Sequence, residues 1–392
     1  MSNLLNMFLF GVLSLAVCWS ILYPSIAISN RLGFTDKPNV RKTHQEPTPL
    51  SGGVAIFLAI VFTNAIFEVT SWSLLAWFAL VLIIGVLDDI YDVSYRIRLL
   101  THFLIVIGIA TTEGLVVNSI GAIVGGEAID FFGPIAVGFT AIGVIGAINV
   151  VNMSDGVDGL LGSLMLASLT ALLLFSFQSS SSELSISVES IVVLMGAMIA
   201  FVSINSRFFG LQHARVFMGD AGSTVLGFYL VYLLIGFSQG SGAVISPVLA
   251  GWILGLPLLD GSAVIAGRLL DRKAPFHPDR RHLHHLILDS GRSVNETVLI
   301  MVGLHGVLVV SAAVGFVIFG NEIEPLLFWG FVALVVLRVL SESWLDAGSS
   351  VEGKAVAARS VALEAGFDEN SAGSKKKAGK DAEIRRAGIY SK

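Results

Sequence analysis

The sequence predicts an all-α, polytopic integral membrane protein, and three observations carry that reading. Hydrophobic residues make up 54% of the 392 and charged residues only 14%, well away from the balance of ordinary soluble domains. Apolar runs near the roughly 20 residues that a helix needs to cross about 30 Å of hydrocarbon recur along most of the chain. Lys and Arg collect in every second intervening loop, as they do in a chain that threads a bilayer. Strands of a membrane barrel would alternate polar and apolar residues. The stretch from Leu74 to Leu87 is apolar throughout, so the spans are read as helices.

Eleven spans follow, with approximate bounds 4–29, 52–69, 72–87, 99–118, 133–152, 159–177, 187–206, 221–239, 244–267, 297–319 and 326–343. The first has no basic segment before it and no small-residue cleavage site after it, so it reads as a retained helix and not a signal peptide. The second begins after Ser51 at Gly52-Gly53, and the third ends on Asp88 and Asp89. Arg96 and Arg98 precede the fourth, while the fifth and sixth flank an Asn, Asp and Gly-rich turn. The seventh leads to Arg207 and Arg215, the eighth starts on Gly219-Asp220, and the ninth ends before a basic, histidine-dense loop. The last two precede a polar tail.

With eleven spans, all 24 Lys and Arg fall on one side, which predicts an outside N-terminus and a cytoplasmic C-terminus. Residues 1–346 form the membrane domain. From about Ala347 the composition shifts to Ala, Gly, Ser, Lys and Glu, and 347–392 read as a disordered cytoplasmic tail. Cys18 is the sole cysteine, which excludes an internal disulfide and a cysteine metal site. The net charge of −5 says little about partners, because the cytoplasmic loops are locally basic.

Three acidic clusters return to that face. Asp88-Asp89-Ile90-Tyr91-Asp92 ends the third span, and Asp88 and Asp92 share a helical face that needs a cation or a proton; a solvated helix end is the plain alternative. In Asn149 to Gly159, Asn152, Asp155 and Asp158 recur every three residues beside Gly156 and Gly159. Oxygen ligands of this kind suit Mg²⁺ bound with phosphate, although turns in general share the composition. Asp220, within Phe217 to Ser223, could merely cap a helix. Three such sites on one face make a shared polyanion and metal site the simpler account.

The loop Phe276 to His285 adds Arg280, Arg281, His282, His284 and His285. Zinc binding is one option, but the adjacent arginines favour phosphate, whose oxygens match a guanidinium fork. Lys37, Arg41, Lys42 and His44 bring further positive or proton-bearing groups to the same side, where topology alone would also place the lysines and arginines. Gly251 and Gly255 are read as helix packing.

Taken in order, TDKPNVRK-H, SGG, DDIYD, NMSDGVDG, FMGDAGS and FHPDRRHLHH resemble the polyprenyl-phosphate N-acetylhexosamine-1-phosphate transferase family from about Gly33 to His285. The match is to its bacterial undecaprenyl-phosphate N-acetylglucosamine-1-phosphate branch. The resemblance implies transfer of a sugar 1-phosphate from a UDP-N-acetylhexosamine to undecaprenyl phosphate, with release of UMP, at the cytoplasmic face of a bacterial inner membrane. It implies Mg²⁺ as cofactor, with Mn²⁺ as a substitute, held by Asn152 and Asp220. Asp88 and Asp89 match the acidic pair at the reaction centre, with Asp88 the candidate for the lipid phosphate's proton. Asp158 resembles a nucleotide contact, and Asp155 belongs to the same site. Arg281, His282, His284 and His285 resemble contacts to the diphosphate and sugar phosphate, while Lys37, Arg41 and His44 are candidate substrate contacts. No nucleic-acid partner is implied, and a homodimer is left open.

The PDRRHLHH signature disfavours a muramoyl donor, and His102 departs from the Gln expected in this branch. Other N-acetylhexosamine donors feeding O-antigen, teichoic acid or another envelope polymer remain open. So do an inactive scaffold and, from a different class, an ion-coupled transporter. Transporters place their acids near the midplane, whereas these lie at span ends.

Overall fold

In the computed structural model, residues 2–37, 46–177, 186–275 and 279–341 are described. Arg41, His44, residues 276–278 and the expected tail 347–392 lie outside them. The chain divides into two compact units, 1–336 and 337–392. The first carries the helices that follow, including most of the last; of the second, only 337–341 are described, and they are helical.

The helices are α1 (Ser2–Leu32), α2 (Gly52–Phe67), α3 (Trp72–Tyr91), α4 (Tyr95–Thr112), α5 (Gly133–Met153), α6 (Leu160–Ser176), α7 (Glu189–Asn205), α8 (Gly219–Ser238), α9 (Pro247–Leu270), the short α10 (Leu283–Asp289), α11 (Val294–Phe319) and α12 (324–341). The architecture is all-helical as expected, with one two-residue strand pair among the described residues, β1 (Thr35–Asp36) with antiparallel β2 (Thr48–Pro49). Its register sets Thr35 opposite Pro49 and Asp36 opposite Thr48. Among the described residues, seven helical runs are long and apolar enough to cross a membrane, the last being Val294–Ser341, which a 3-10 turn at Gly320–Ile323 interrupts. Gly52–Phe67, Leu160–Ser176 and Glu189–Asn205 are shorter apolar helices. The molecule is a polytopic membrane protein.

Burial sorts the helices. Every residue of α8 from Ala221 to Ser238 is buried except the partly buried Tyr232. A helix apolar on all sides is stable there because α2, α3, α5 and α9 surround it. The outer helices instead expose large apolar side chains, including Phe8 and Trp19 of α1 and Val307, Val310 and Val317 of α11. In water such a surface would be a liability, but in hydrocarbon it costs nothing.

The far ends of the helices are tied by carboxylates and amides. Glu113 accepts from Ser71 Oγ at 2.7 Å, Gln239 Oε1 accepts the amides of Asn118 and Ser119, each at 3.0 Å, and the buried Glu324 accepts the Ala122 amide at 2.6 Å.

Helix α9 is broken at Gly255, whose φ of 51° and ψ of −118° are not helical, and Pro257 follows two residues later. Pro257 has no N–H to give the Ile253 carbonyl, and the break frees the Leu256 N–H. Both groups are met from other helices. Ser168 Oγ donates to Ile253 O at 2.8 Å, and His305 Nδ1 accepts from Leu256 N at 3.2 Å. His305 Nε2 stands 3.1 Å from Ser168 Oγ. The hydroxyl proton goes to the carbonyl and Nδ1 is an acceptor, so the imidazole is neutral and carries its proton on Nε2. Ser168→Ala leaves the Ile253 carbonyl and His305 Nε2–H unpaired. The expected loss is about 1–3 kcal/mol, read as a lower unfolding midpoint in detergent. Thr170→Val, at an exposed hydroxyl on the same helix, is the control and should change little.

Candidate active site

Asp88 and Asp89 close α3, and successive helical positions turn them apart. The end of α3 reaches the start of α8 because Gly85 lies against Ala221: a Cβ at Gly85 would sit 2.3 Å from Ala221 Cα. On the other flank of α8, a Cβ at Gly53 would sit 2.0 Å from Gly222 Cα. Asp89 then accepts the first amides of α8, from Asp220 N at 2.8 Å on Oδ1 and from Ala221 N at 3.2 Å on Oδ2. It is a cap supplied by a neighbouring helix, opposite the positive end of the α8 dipole.

Asp88 points elsewhere. Asp92, in the left-handed region at φ 53°, ends α3 and lets the chain turn into α4, which returns Arg98 to Asp88. Arg98 Nη1 pairs with Asp88 Oδ2 and also lies 3.5 Å from Asp220 Oδ2. The Asp88 side chain is 4% exposed and that of Asp220 46%, so Asp220 is the acid of this pair that presents itself to a ligand.

The end of α5 completes this cluster. Asn152 Nδ2 donates to Asp220 Oδ1 at 2.9 Å and to Ser223 Oγ at 2.8 Å. In the turn that follows, the Asp155 amide donates to Asn152 O at 3.0 Å. The Asp155 carboxyl reaches solvent yet is walled in by protein. That loss of hydration, and then the carboxylates of Asp220, Asp158 and Asp89, raise its pKa from 3.8 to about 7. Asp158 turns away to Arg207 Nε at 2.7 Å and the Ala214 amide at 3.2 Å. Asn205 fastens the same loop, accepting from Gly159 N and donating to Val216 O, each at 2.8 Å.

The histidine segment folds as α10 and is anchored by a residue the sequence reading did not single out, Asp260 in α9. Its carboxylate, buried at 4% exposure, lies 2.9 Å from His282 Nδ1 and accepts the Leu283 amide at 3.1 Å. His282 and His284 stack with ring centroids 5.5 Å apart, and His284 meets His285 at 4.3 Å. A Cβ at Gly156 would fall 2.3 Å from His284 Nε2, so glycine there lets the imidazole rest on the Asp155–Asp158 turn. Below α10, Arg268 grips Asp279 with two hydrogen bonds of 2.9 Å and donates to Pro275 O at 2.7 Å. Arg281 pairs with Asp271 and lies 3.9 Å from Asp279.

Asp88, Asp89, Asn152, Asp155 and Asp220 thus come together, with His284 over their rim. Asp158 and Arg281 are engaged with partners at the edge. Lys37 stands with Asp89 on the wall of a separate, mainly apolar cleft of about 820 Å³ between α1, α2 and α3. Besides Asp260, the sequence reading passed over Arg98 as an ion-pair bridge and the Arg268–Asp279 pair. Asp260 carried a usable signal, since a carboxylate inside an apolar span requires a partner. The role of Arg98 carried none, because the positive-inside pattern already accounts for it.

Among the described residues, no three His, Cys, Asp or Glu side chains converge closely enough to hold a metal alone. The donors at hand, Asn152 and Asp220, are hard oxygen donors on an open rim. That set fits Mg²⁺, which takes one or two protein ligands and completes its shell with substrate phosphates and water.

Burial first, and then His285 and His282, hold the His284 pKa near 3, well below 6.5. An unfolded chain binds that proton below about pH 6.5 and the folded chain does not until near 3, so stability falls as pH drops through this window. His284→Gln should remove about one proton from that dependence. Unfolding midpoints between pH 7.5 and 5 would then fall less steeply than in the wild type.

Residues 71–238 match the family model for glycosyl transferase family 4. The chain is 32% identical over 345 residues to the undecaprenyl-phosphate alpha-N-acetylglucosaminyl 1-phosphate transferase of Yersinia pestis, covering 86% of this chain and 89% of that protein. It is 34% identical over 316 residues to the Escherichia coli K12 protein of the same name, covering 80% and 83%. Against that of Haemophilus influenzae it is 34% identical over 323 residues, covering 80% and 88%. With the acidic rim at the ends of α3, α5 and α8 and the histidine helix over it, these likenesses make the chain a member of glycosyl transferase family 4, among the polyprenyl-phosphate N-acetylhexosamine-1-phosphate transferases.

Proposed function

We propose that the protein transfers N-acetylglucosamine 1-phosphate from UDP-N-acetylglucosamine to undecaprenyl phosphate and releases UMP, at the cytoplasmic face of a bacterial inner membrane. The observation that carries this reading is Arg98 between Asp88 and Asp220, with Asn152 on Asp220 and His284 over the adjoining turn. The relatives' names support the choice of donor. Eleven crossings with the N-terminus outside put all 24 Lys and Arg on one side. In support, contacts at the site join the C-terminal ends of α3 and α5 to the N-terminal ends of α4 and α8, as an alternating chain requires.

An oxygen of the lipid phosphate attacks the phosphorus that bears the sugar. A new P–O bond forms, the P–O bond to uridylate breaks, and UMP leaves with the electron pair. Both reactants are anions, so placement and charge neutralisation dominate over proton chemistry. Asn152 and Asp220 would hold Mg²⁺, or Mn²⁺ in its place, which would supply neutralising charge to the diphosphate. Arg98 presents a guanidinium to the acceptor phosphate, and Asp88 holds it in place. Asp89 keeps the α8 terminus, and with it Asp220, in register. Arg281, His282, His284 and His285 face the donor's phosphates and sugar, while Asp155 and Asp158 border its nucleotide.

The test is UMP release by purified protein with undecaprenyl phosphate, a panel of UDP-sugars, and Mg²⁺ present or chelated. Release that needs Mg²⁺ and is fastest with UDP-N-acetylglucosamine, with a matching lipid diphosphate sugar, is the expected result; preference for another UDP-N-acetylhexosamine would replace the donor. Asp220→Asn is expected to lower kcat by at least about 100-fold while the protein still inserts, a loss typical of an electrostatic contact to the reacting groups. Asp89→Asn should also abolish turnover. Full activity in either variant would remove that residue from the site.

A further inference from the structure

On the reaction proposed above, we infer that His102 positions the acceptor phosphate, by hydrogen bonding to one phosphoryl oxygen beside Arg98.

Helices α3, α4, α5 and α8 enclose a pocket lined by Asp88, Arg98, His102, Asn149, Asn152 and Thr224. Its free volume is about 20 Å³, room for one water-sized group. A sugar or a nucleoside does not fit there; a single oxygen does. Most of the lining donors already have partners. Asn152 Nδ2 holds Asp220 and Ser223, Asn149 Nδ2 donates to Ile145 O at 2.7 Å, and Arg98 bridges two carboxylates.

His102 differs. It is only 6% exposed, and its Nδ1 is buried with no hydrogen-bond partner. Native structures seldom leave such an atom unmet, and the usual explanation is a group that binds there. One helical turn separates Arg98 from His102, so both side chains rise from the same face of α4. Arg98 and His102 both line this one-oxygen space, and a guanidinium with an imidazole N–H turned toward it would select an oxygen that carries negative charge. The acceptor's phosphate is the anion that must come within reach of Asp88 and Asp220. The donor's diphosphate belongs on the opposite flank of Asp220, under His284. A neutral ordered water is the competing occupant, and the experiment separates the two. The resemblance leads one to expect Gln at this position, and its amide offers one N–H at similar reach. Gln should therefore restore what an apolar residue removes.

Full-length wild type, His102→Leu and His102→Gln are compared in detergent, varying undecaprenyl phosphate at saturating UDP-N-acetylglucosamine and then the reverse. For His102→Leu, KM for the lipid phosphate is expected to rise at least about tenfold, the worth of one hydrogen bond to a charged group. KM for the UDP-sugar should stay within about twofold, and His102→Gln should recover the wild-type lipid KM within about threefold, both well below that loss. Without nucleotide, undecaprenyl phosphate should raise the unfolding midpoint of wild type and His102→Gln above that seen with undecaprenol, and His102→Leu should lose this phosphate-dependent increment. Unchanged lipid KM in His102→Leu, as a bound water would give, overturns the inference; so does a parallel rise in both KM values. Should His102→Leu not fold, His102→Met, which likewise has no donor, takes its place in the stabilisation measurement, where a retained increment overturns it. If wild type releases no UMP with any donor, the proposed reaction fails, yet a phosphate-dependent increment lost in His102→Leu would still uphold the contact. No increment in the wild type would sink it.

Discussion

Carboxylates gathered at the ends of membrane helices repel one another, and the way that repulsion is offset shapes the rest of this structure. At about 4 Å and an effective dielectric near 20, two like charges oppose each other by about 4 kcal/mol, comparable with a large share of a domain's net stability. Three devices answer it here. Arg98 stands between Asp88 and Asp220, the N-terminus of α8 takes Asp89, and Arg207 takes Asp158. Each ties two or more helix ends together, so the electrostatic solution also fixes where α3, α4, α5 and α8 meet. What remains exposed is Asp220, with Asn152 attached to it.

A site of this design is prepared for a charged ligand. The fixed cations are engaged with fixed acids, and the remaining negative rim is suited to a cation that arrives together with phosphate. That division matches a reaction between two anions, in which the enzyme supplies placement and field more than proton transfer. The acidic pair at the end of α3 therefore separates into two tasks. Asp88 orients a guanidinium, whereas Asp89 holds a helix terminus, although they are adjacent in the chain.

The second organising feature is the broken helix α9. Gly255 and Pro257 interrupt it inside the bundle, and His305 and Ser168 satisfy the freed backbone groups, so the bend is held by directional bonds. Beyond the bend, Asp260 fastens His282 and Leu283, which sets α10 over the acidic rim. An apolar, hydrogen-bonded strut in one half of a helix thus determines where polar chemistry lies at its end.

The sequence by itself determined the helical membrane class and the order of the apolar segments. It also picked out the residues that converge: Asp88, Asp89, Asn152, Asp155, Asp220 and His284. These are legible because hydrocarbon thickness and the placement of Lys and Arg act along the chain, one segment at a time. The tertiary structure alone decided the pairings. Nothing in the local sequence tells Asp88 from Asp89, makes Arg98 more than a topological charge, or joins Asp260 to His282 across 22 positions. Even the short β1–β2 ladder escaped a reading built on apolar runs, because two-residue strands have no period to detect. Such partners depend on how closely helices cross, and that is set by contacts such as Gly85 on Ala221 and Gly156 under His284, where the absence of a side chain matters only once the opposing surface is in place.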